Sequence, residues 1–452
     1  MSYMGRSMSM QNQERRLGPQ EYLYWLMDHF SRTNFVVIAT CEGTLTKGLV
    51  EEALSCLQAV RPPLRTRIVV EEQGVFFRAC EQPAPIPLRW IEGDAADWCA
   101  HAEAEQIRRF ETDVGPLMRC TCLSKGSLST LLFTFHHAIA DATSAMHLAY
   151  ECFQSIATVS GGPNTQLTPY VAPVPLDVHI PRAFRGMGGL YKLWMQGNRQ
   201  LLRFMRVGLP SMEVVDEVVF PDERRDRFVP MSLTREETKA LVGTARAKGV
   251  TVHSLLCAAQ MMSLHAQYPA QKAQGMGQLS LVNMRQQVHA SLPPTMLGPL
   301  ISFLTTFHSI SELSDVWEVA RDVRAQLLLQ LRHHDPYLTL PFLARYVQKK
   351  SMHLIHKQSK ARNLFRNIER LGPKVSLVSN AGRFLYGGEL GPLKLHALHF
   401  LFALSSSGRF GSAVTTFDDT LFWNVTYAAP TFTRERAEQV GSHAKELLLS
   451  SL

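Results

Sequence analysis

The chain is most constrained between residues 131 and 144, where a short apolar run meets two histidines and then a helical pattern. Leu131 to Phe135 predict a short buried strand. From Ala142 onward, apolar residues recur at the spacing of one helix face, and Asp141 is the predicted N-cap. Open α/β sheets bind ligands where their strands end, so a functional site is expected at this junction.

His136 and His137 lie at that junction. Successive side chains of an extended segment point to opposite faces, so only one of the two can enter a cleft and act as a base. The other must be structural. A second interpretation stays open, in which both rings are packed core groups and Asp141 is only a helix cap.

The length of 452 residues and the 46% hydrophobic content predict two lobes of roughly 200 residues each. We place an N-terminal lobe at 1–165, a linker with a basic amphipathic helix at 166–217, and a C-terminal lobe at 218–452. No apolar run of membrane-spanning length is present, and the first residues are polar. A cytoplasmic protein is therefore expected.

Cysteine spacing and charge exclude several classes of protein. The eight cysteines form no CxxC pair, which argues against a disulfide framework and a zinc site, and we expect no metal. The net charge of +8 is local, because residues 345–374 contain nine Lys or Arg and one acidic residue. This segment has little aromatic interleaving and no nucleic-acid-binding motif, so nucleic acid is not an expected partner.

The spacing His136-His137-x-x-x-Asp141 resembles the active-site motif of the chloramphenicol-acetyltransferase-like superfamily, which includes condensation domains, polyketide-associated acyltransferases and alcohol acyltransferases. The resemblance implies an α/β (α+β) fold of two lobes, each a mixed sheet with flanking helices, and an active-site channel between them. It also implies that His137 is the general base and that Asp141 is structural and held by an arginine. Ala142 departs from the glycine that is usual at this position.

Shorter segments elsewhere resemble the same superfamily. Leu64-Arg65-Thr66-Arg67 is similar to an early condensation-domain motif, and we predict Arg65 or Arg67 as the partner of Asp141 because a buried carboxylate needs a cation. Ser302 lies in a Leu-Gly-x-x-x-Ser segment and is a candidate oxyanion donor. Asn380 lies in a Ser-Asn-x-Gly segment that, in relatives, ends a strand at the lobe interface.

Together these segments predict an acyltransferase that moves an acyl group from a thioester to a hydroxyl or amine acceptor. The expected donor is an acyl carrier protein or acyl-CoA, used as a co-substrate, with no permanently bound cofactor. Basic side chains would attract the acidic carrier or the CoA phosphates. The predicted docking residues are Arg285, Lys349, Lys350, Lys357, Lys360 and Arg362. Two alternatives stay open, a catalytically degenerate docking module and a cyclase or dehydratase acting on a carrier-bound chain.

The linker contains a basic and apolar helical segment at 182–209. Such a helix can lie on a membrane surface or cover the mouth of a hydrophobic channel. The sequence does not separate these two roles, and membrane association is not the expectation.

Overall fold

The structure is a computed structural model that describes residues 14–162, 167–208, 216, 217, 219, 223–267, 273–288, 292–351, 375–404 and 408–452. The elements of the first half are β1 (Arg15–Arg16), α1 (Pro19–Asp28), β2 (Phe35–Glu42), α2 (Lys47–Val60), β3 (Thr66–Glu71), β4 (Gly74–Ala79), β5 (Leu88–Glu92), α3 (Trp98–Ile107), β6 (Met118–Lys125), β7 (Leu128–Phe135), α4 (Ala142–Val159), α5 (Leu176–His179) and α6 (Gly186–Val207).

The second half begins with a short strand and ends in a helix. Its elements are β8 (Arg225–Val229), β9 (Ser232–Leu233), α7 (Arg235–Ala247), α8 (Val252–His265), β10 (Gln274–Asn283), β11 (Ile301–Ile310), α9 (Val316–Arg332), α10 (Leu340–Ser351), β12 (Ser376–Arg383), β13 (Glu389–Leu390), β14 (Leu393–Leu401), β15 (Phe410–Phe417), β16 (Thr420–Ala429) and α11 (Arg434–Leu449).

The first large sheet has the order β13-β14-β2-β7-β6-β5, and a small sheet β1-β4-β3 accompanies it. In the large sheet, β2 pairs antiparallel with β7, and Phe35 lies opposite Phe135. On its other side β2 pairs antiparallel with β14. Residues 389–401 therefore belong to the first sheet, although the sequence boundaries assigned them to the C-terminal lobe.

The second large sheet has the order β11-β10-β12-β15-β16-β8, with β9 paired to β16. Its centre is parallel, because β10 pairs parallel with β12 and β12 pairs parallel with β15. The other pairs are antiparallel. The predicted architecture of two mixed sheets with flanking helices is confirmed.

The central strands of both sheets are buried on both faces, and alternate side chains enter different cores. In β2, Val37 and Ala39 face the core formed with α2 and α4. Val36 and Ile38 face a smaller cluster that includes Ala102 of α3. A separate core joins α7, α8, α9 and α11 to the second sheet.

Several helices begin at side chains that cap their first free N–H groups. Thr46, Thr234 and Thr251 each accept a hydrogen bond from the backbone N–H three residues later, and Asp141 does the same at α4. At α7 the reciprocal contact of Glu237 completes a capping box. The predicted helix start at Asp141 is confirmed. Across the part of the chain that is described, no helix combines the length and apolar character needed to cross a bilayer.

Candidate active site

A channel of about 1290 Å³, part of it open to solvent, lies between the two large sheets. Its wall combines α1, β2 and the start of α4 with β10, β11, α10, β12 and β14. Most of the wall is apolar. The polar side chains or hydroxyl groups on it are those of Tyr24, Thr33, His137, Asp141 and Ser379.

His137 lies on this wall directly after β7. Its Nδ1 is 3.0 Å from the carbonyl oxygen of Ala140. A carbonyl oxygen can only accept, so Nδ1 carries the proton and Nε2 keeps a free lone pair. The ring stacks on Tyr24 with centroids 3.9 Å apart and also contacts Phe35 at 4.9 Å. The imidazole is thus fixed in one orientation, with Nε2 unprotonated.

Burial lowers the pKa of His137 to about 4, because an apolar environment disfavours the imidazolium. The negative charge of Asp141 and the hydrogen bond to Ala140 act in the opposite direction and are weaker. His137 is therefore neutral at physiological pH, which is the state in which an imidazole can accept a proton.

His136 points away from the channel and is fully buried. Its Nδ1 accepts a hydrogen bond of 3.1 Å from the N–H of Ala138, so its Nε2 is the protonated nitrogen. That nitrogen lies 4.0 Å from an oxygen of Asp28 and has no hydrogen-bond partner. Burial lowers the pKa of His136 as well. The two histidines face opposite sides, as the strand geometry predicts, and His136 has a packing role.

Asp141 is held by a bidentate ion pair with Arg285 of the other sheet. The two guanidinium nitrogens lie 2.7 and 3.1 Å from the carboxylate oxygens. The same carboxylate accepts hydrogen bonds from the N–H groups of Ser144 and Leu300, each at 3.0 Å. Both side chains of the pair are at most 2% exposed. Asp141 therefore caps α4 and ties the two lobes together next to His137.

The prediction that Arg65 or Arg67 pairs with Asp141 is wrong. Arg67 is exposed and donates to the carbonyl oxygen of Asp113, and Arg65 lies near Tyr170. Arg65 lies directly before β3 and Arg67 lies in it, whereas Arg285 extends from the end of β10 to the carboxylate of Asp141. Arg285 is also no docking residue, because it is buried in this ion pair.

The prediction that Ser302 stabilises an oxyanion is also wrong. Its hydroxyl donates to the carbonyl oxygen of Pro336 at 2.7 Å and contacts the Thr339 hydroxyl, while its neighbours Ile301 and Phe303 line the channel. Strand alternation therefore turns Ser302 away from the channel.

Asn380 lies at an irregularity of β12, and its side-chain oxygen accepts a hydrogen bond of 2.8 Å from the N–H of Gly382. The preceding residue, Ser379, lines the channel. Asn380 thus shapes the strand next to the channel wall, and its supporting role stays a prediction.

The remaining docking residues are only partly within the described chain. Lys349 and Lys350 are exposed at the end of α10. Lys357, Lys360 and Arg362 lie outside the described residues. Their role in docking stays a prediction.

Sequence reasoning missed Tyr24 as a site residue and gave Arg285 another role. The aromatic cluster of the first helix was the available signal for Tyr24, but it did not show which ring contacts His137. The signal for Arg285 was its position after a strand that ends in polar residues. Nothing local connects that strand to Asp141, which is 144 residues away.

Two family models match the chain. One, described as a condensation domain, matches residues 13–171. The other, described as the phthiocerol/phthiodiolone dimycocerosyl transferase C-terminus, matches residues 222–416. The first model covers the part of the chain that contains Asp141, and the second covers the part that contains Arg285.

The chain is also similar to individual proteins. It is 31% identical over 101 residues to nonribosomal peptide synthetase 7 from Gibberella zeae, a match that covers 22% of this chain and 2% of that protein. Its structure is similar to polyketide synthase associated protein 5 from Mycobacterium tuberculosis, with a TM-score of 0.66, 14% identity, and 97% and 98% of the two chains covered. It is likewise similar to the trichothecene 15-O-acetyltransferase TRI3 from Fusarium sporotrichioides, with a TM-score of 0.71, 11% identity, and 99% and 97% covered.

Proposed function

We propose, from the premise that the chain belongs to the chloramphenicol-acetyltransferase-like superfamily, that it transfers an acyl group from a thioester to a hydroxyl or amine acceptor in natural-product biosynthesis. The observation that carries the proposal is the state of His137. Its Nδ1–H is engaged by the Ala140 carbonyl, its Nε2 is a free acceptor, and the ring lies on the wall of an apolar channel.

In the proposed reaction, Nε2 of His137 removes the proton of the acceptor O–H or N–H as that atom attacks the thioester carbonyl carbon. The resulting tetrahedral intermediate collapses, the C–S bond breaks, and the imidazolium returns the proton to the thiolate. The products are an ester or amide and a free thiol. No covalent enzyme intermediate is needed.

The oxyanion of that intermediate needs a hydrogen-bond donor from the channel wall. The Thr33 hydroxyl is already engaged by the carboxylate of Asp28 at 3.2 Å. The other two hydroxyl side chains among the described wall residues are those of Ser379 and Tyr24. We assign the role to Ser379, because the Tyr24 ring is held by its stacking on the base.

The channel wall also bears on the substrate. Leucines and phenylalanines from both sheets, including Leu279, Leu281, Phe303 and Phe400, provide apolar surface for an acyl chain. The donor thioester would be presented by an acyl carrier protein or by CoA, neither of which is a resident cofactor. The exposed Lys349 and Lys350 are suited to the acidic carrier or to the CoA phosphates.

The test is release of free thiol from acyl-CoA and acyl carrier protein donors, each with a panel of alcohols and amines. The parent should release thiol in an acceptor-dependent manner. His137→Ala should lower that rate by about two to four orders of magnitude, the usual contribution of a general base. His396→Ala is the matched control, because this exposed histidine pairs only with Glu42 on the surface and should leave the rate unchanged.

Thiol release that is unchanged in His137→Ala would refute the assignment of the base. Absence of release from every donor would refute acyl transfer and favour the docking module. Thiol release without any acceptor, together with ring closure of the acyl chain, would favour a cyclase, whereas loss of water from the donor chain without thiol release would favour a dehydratase. The thermal unfolding temperature of each variant shows whether a loss of activity is a loss of fold.

A further inference from the structure

Helix α6 has its apolar side turned outward. Eight of its large apolar side chains are between 39% and 80% exposed, and the most exposed is Met187. Trp194 and Met205 follow Met187 at intervals of two and three turns and project in the same direction. The outward side of this 22-residue helix is therefore an apolar stripe roughly 27 Å long, from Met187 to Met205.

The inward side of α6 is attached to the second lobe largely by polar contacts. Arg199 pairs with Asp335 at 2.6 Å. Gln200 donates to the carbonyl oxygen of Thr305 and to the side chain of Gln330. Phe204 adds a ring contact with Phe307. These contacts fix the rotation of the helix, so the outward position of the stripe is built into the fold.

The charges beside the stripe are all positive. The helix contains no Asp or Glu. Arg182, just before it, and Arg206, in its last turn, are exposed. Lys192 lies over the ring of Phe184. In the described chain none of these three has an acidic partner at ion-pair distance. An apolar stripe flanked by unpaired cations is complementary to an anionic lipid surface.

The alternative that α6 covers the mouth of the channel does not fit the geometry. Among the described residues, those that line the channel come from α1, β2, α4, α10 and four strands of the two sheets, and none is in α6. The exposure of the stripe shows that no described part of the chain covers it.

We propose that α6 binds the surface of a membrane containing anionic lipid, with its outward stripe buried among the acyl chains and Arg182, Lys192 and Arg206 at the headgroups. The proposal departs from the sequence-based expectation of no membrane association, which stays a prediction. The proposal does not depend on the acyltransferase activity. A second copy of the chain is a poorer occupant, because it would bring further cations to this surface and α6 of the second copy has no acidic residue to pair with them.

The test is partition of the full-length chain onto vesicles, either of phosphatidylcholine alone or of phosphatidylcholine with phosphatidylserine. Binding is expected on the anionic vesicles and should weaken with salt. Replacing both Leu201 and Leu202 with aspartate should lower the partition coefficient by about tenfold or more, because two apolar side chains are then no longer buried in the lipid. Leu313→Asp is the control, because Leu313 is 97% exposed and lies outside α6.

Tryptophan fluorescence provides a second readout. Trp194 is exposed, whereas the other five tryptophans are buried or half-buried. Vesicles should shift the emission to shorter wavelength in the parent but not in Trp194→Phe. No binding to anionic vesicles would overturn the proposal. Self-association abolished by the double aspartate variant, without vesicle binding, would assign the stripe to a second copy. Protection of Trp194 from iodide in the monomer would show that the chain itself covers it.

Discussion

The ion pair between Asp141 and Arg285 allows a quantitative prediction, because the two partners differ in what remains when one is removed. Asp141→Asn keeps a good helix cap but removes the negative charge. Arg285 then stays buried, with one close carbonyl acceptor, Met296 at 2.7 Å, and a longer contact to Asn283 at 3.4 Å. We expect this variant to lose about 3–5 kcal/mol of unfolding free energy, the usual cost of leaving a buried charge unpaired.

Removal of the other partner should cost less. In Arg285→Met the Asp141 carboxylate keeps the N–H groups of Ser144 and Leu300 and the Ser144 hydroxyl, all at 3.0 Å. It also stays at the N-terminus of α4, where the helix dipole stabilises an anion. We expect a loss of about 2–3 kcal/mol, because three charge-assisted donors remain in place. The double variant Asp141→Asn/Arg285→Met should lose less than the sum of the two single variants.

The assay is urea unfolding at neutral pH, combined with turnover of each variant. Arg61→Met is the matched control, because Arg61 and Glu151 form a buried bidentate pair of similar geometry within the first lobe. It should lose stability without a specific effect on kcat, whereas Asp141→Asn should lower both. The reasoning is refuted if Asp141→Asn loses less than about 1 kcal/mol, or if Arg285→Met proves the more damaging single change.

Four further outcomes are expected. Ala142→Gly removes a methyl group from the channel wall at the first residue of α4, so it should favour bulkier acyl donors in kcat/KM while lowering unfolding free energy by no more than about 1 kcal/mol. The acid limb of the kcat/KM profile should lie near pH 4 and not near 6.5, because His137 loses its acceptor only on protonation. Burial lowers the pKa to about 4 in three histidines, His137, His147 and His253. Between pH 6.5 and 4 the unfolded chain therefore binds more protons than the folded chain. Urea unfolding should show that the unfolding free energy decreases through that window as the pH falls. Ser379→Ala should lower kcat by about a hundredfold or more with little change in KM, if its hydroxyl donates to the oxyanion.

The features that sequence predicts well here are those fixed by neighbouring residues. The strand ending at Phe135 and the helix beginning at Ala142 follow from local periodicity and from the cap at Asp141. The helix starts at Thr234 and Thr251 are local in the same sense, because each capping side chain and its partner lie three residues apart. The two histidines face opposite sides as strand alternation predicts, although β7 ends at Phe135 and His137 lies in the turn that follows.

The features that sequence misses depend on contacts between distant segments. The local pattern shows that Asp141 needs a cation, but it does not choose among the arginines of the chain. Strand β14 likewise has an ordinary strand pattern, and only its pairing with β2 places it in the first sheet. The resemblance to known motifs did not identify the partner of Asp141 or the sheet that contains β14, because it identifies segments of the chain and not the contacts between them.

The two missed contacts constrain how substrates reach His137. The Asp141–Arg285 pair and the β14–β2 ladder both cross between the halves of the chain, and they flank the channel from different sides. A hinge motion that separates the two sheets would expose this buried pair to water, and it is opposed on the other side because β14 stays in the first sheet while the chain joins it to β12 and β15 of the second. Substrates should therefore enter through the ends of the channel and not through separation of the lobes. The fixed orientation of His137 agrees with this, since the Ala140 carbonyl that holds its Nδ1 directly precedes the residue that joins the lobes.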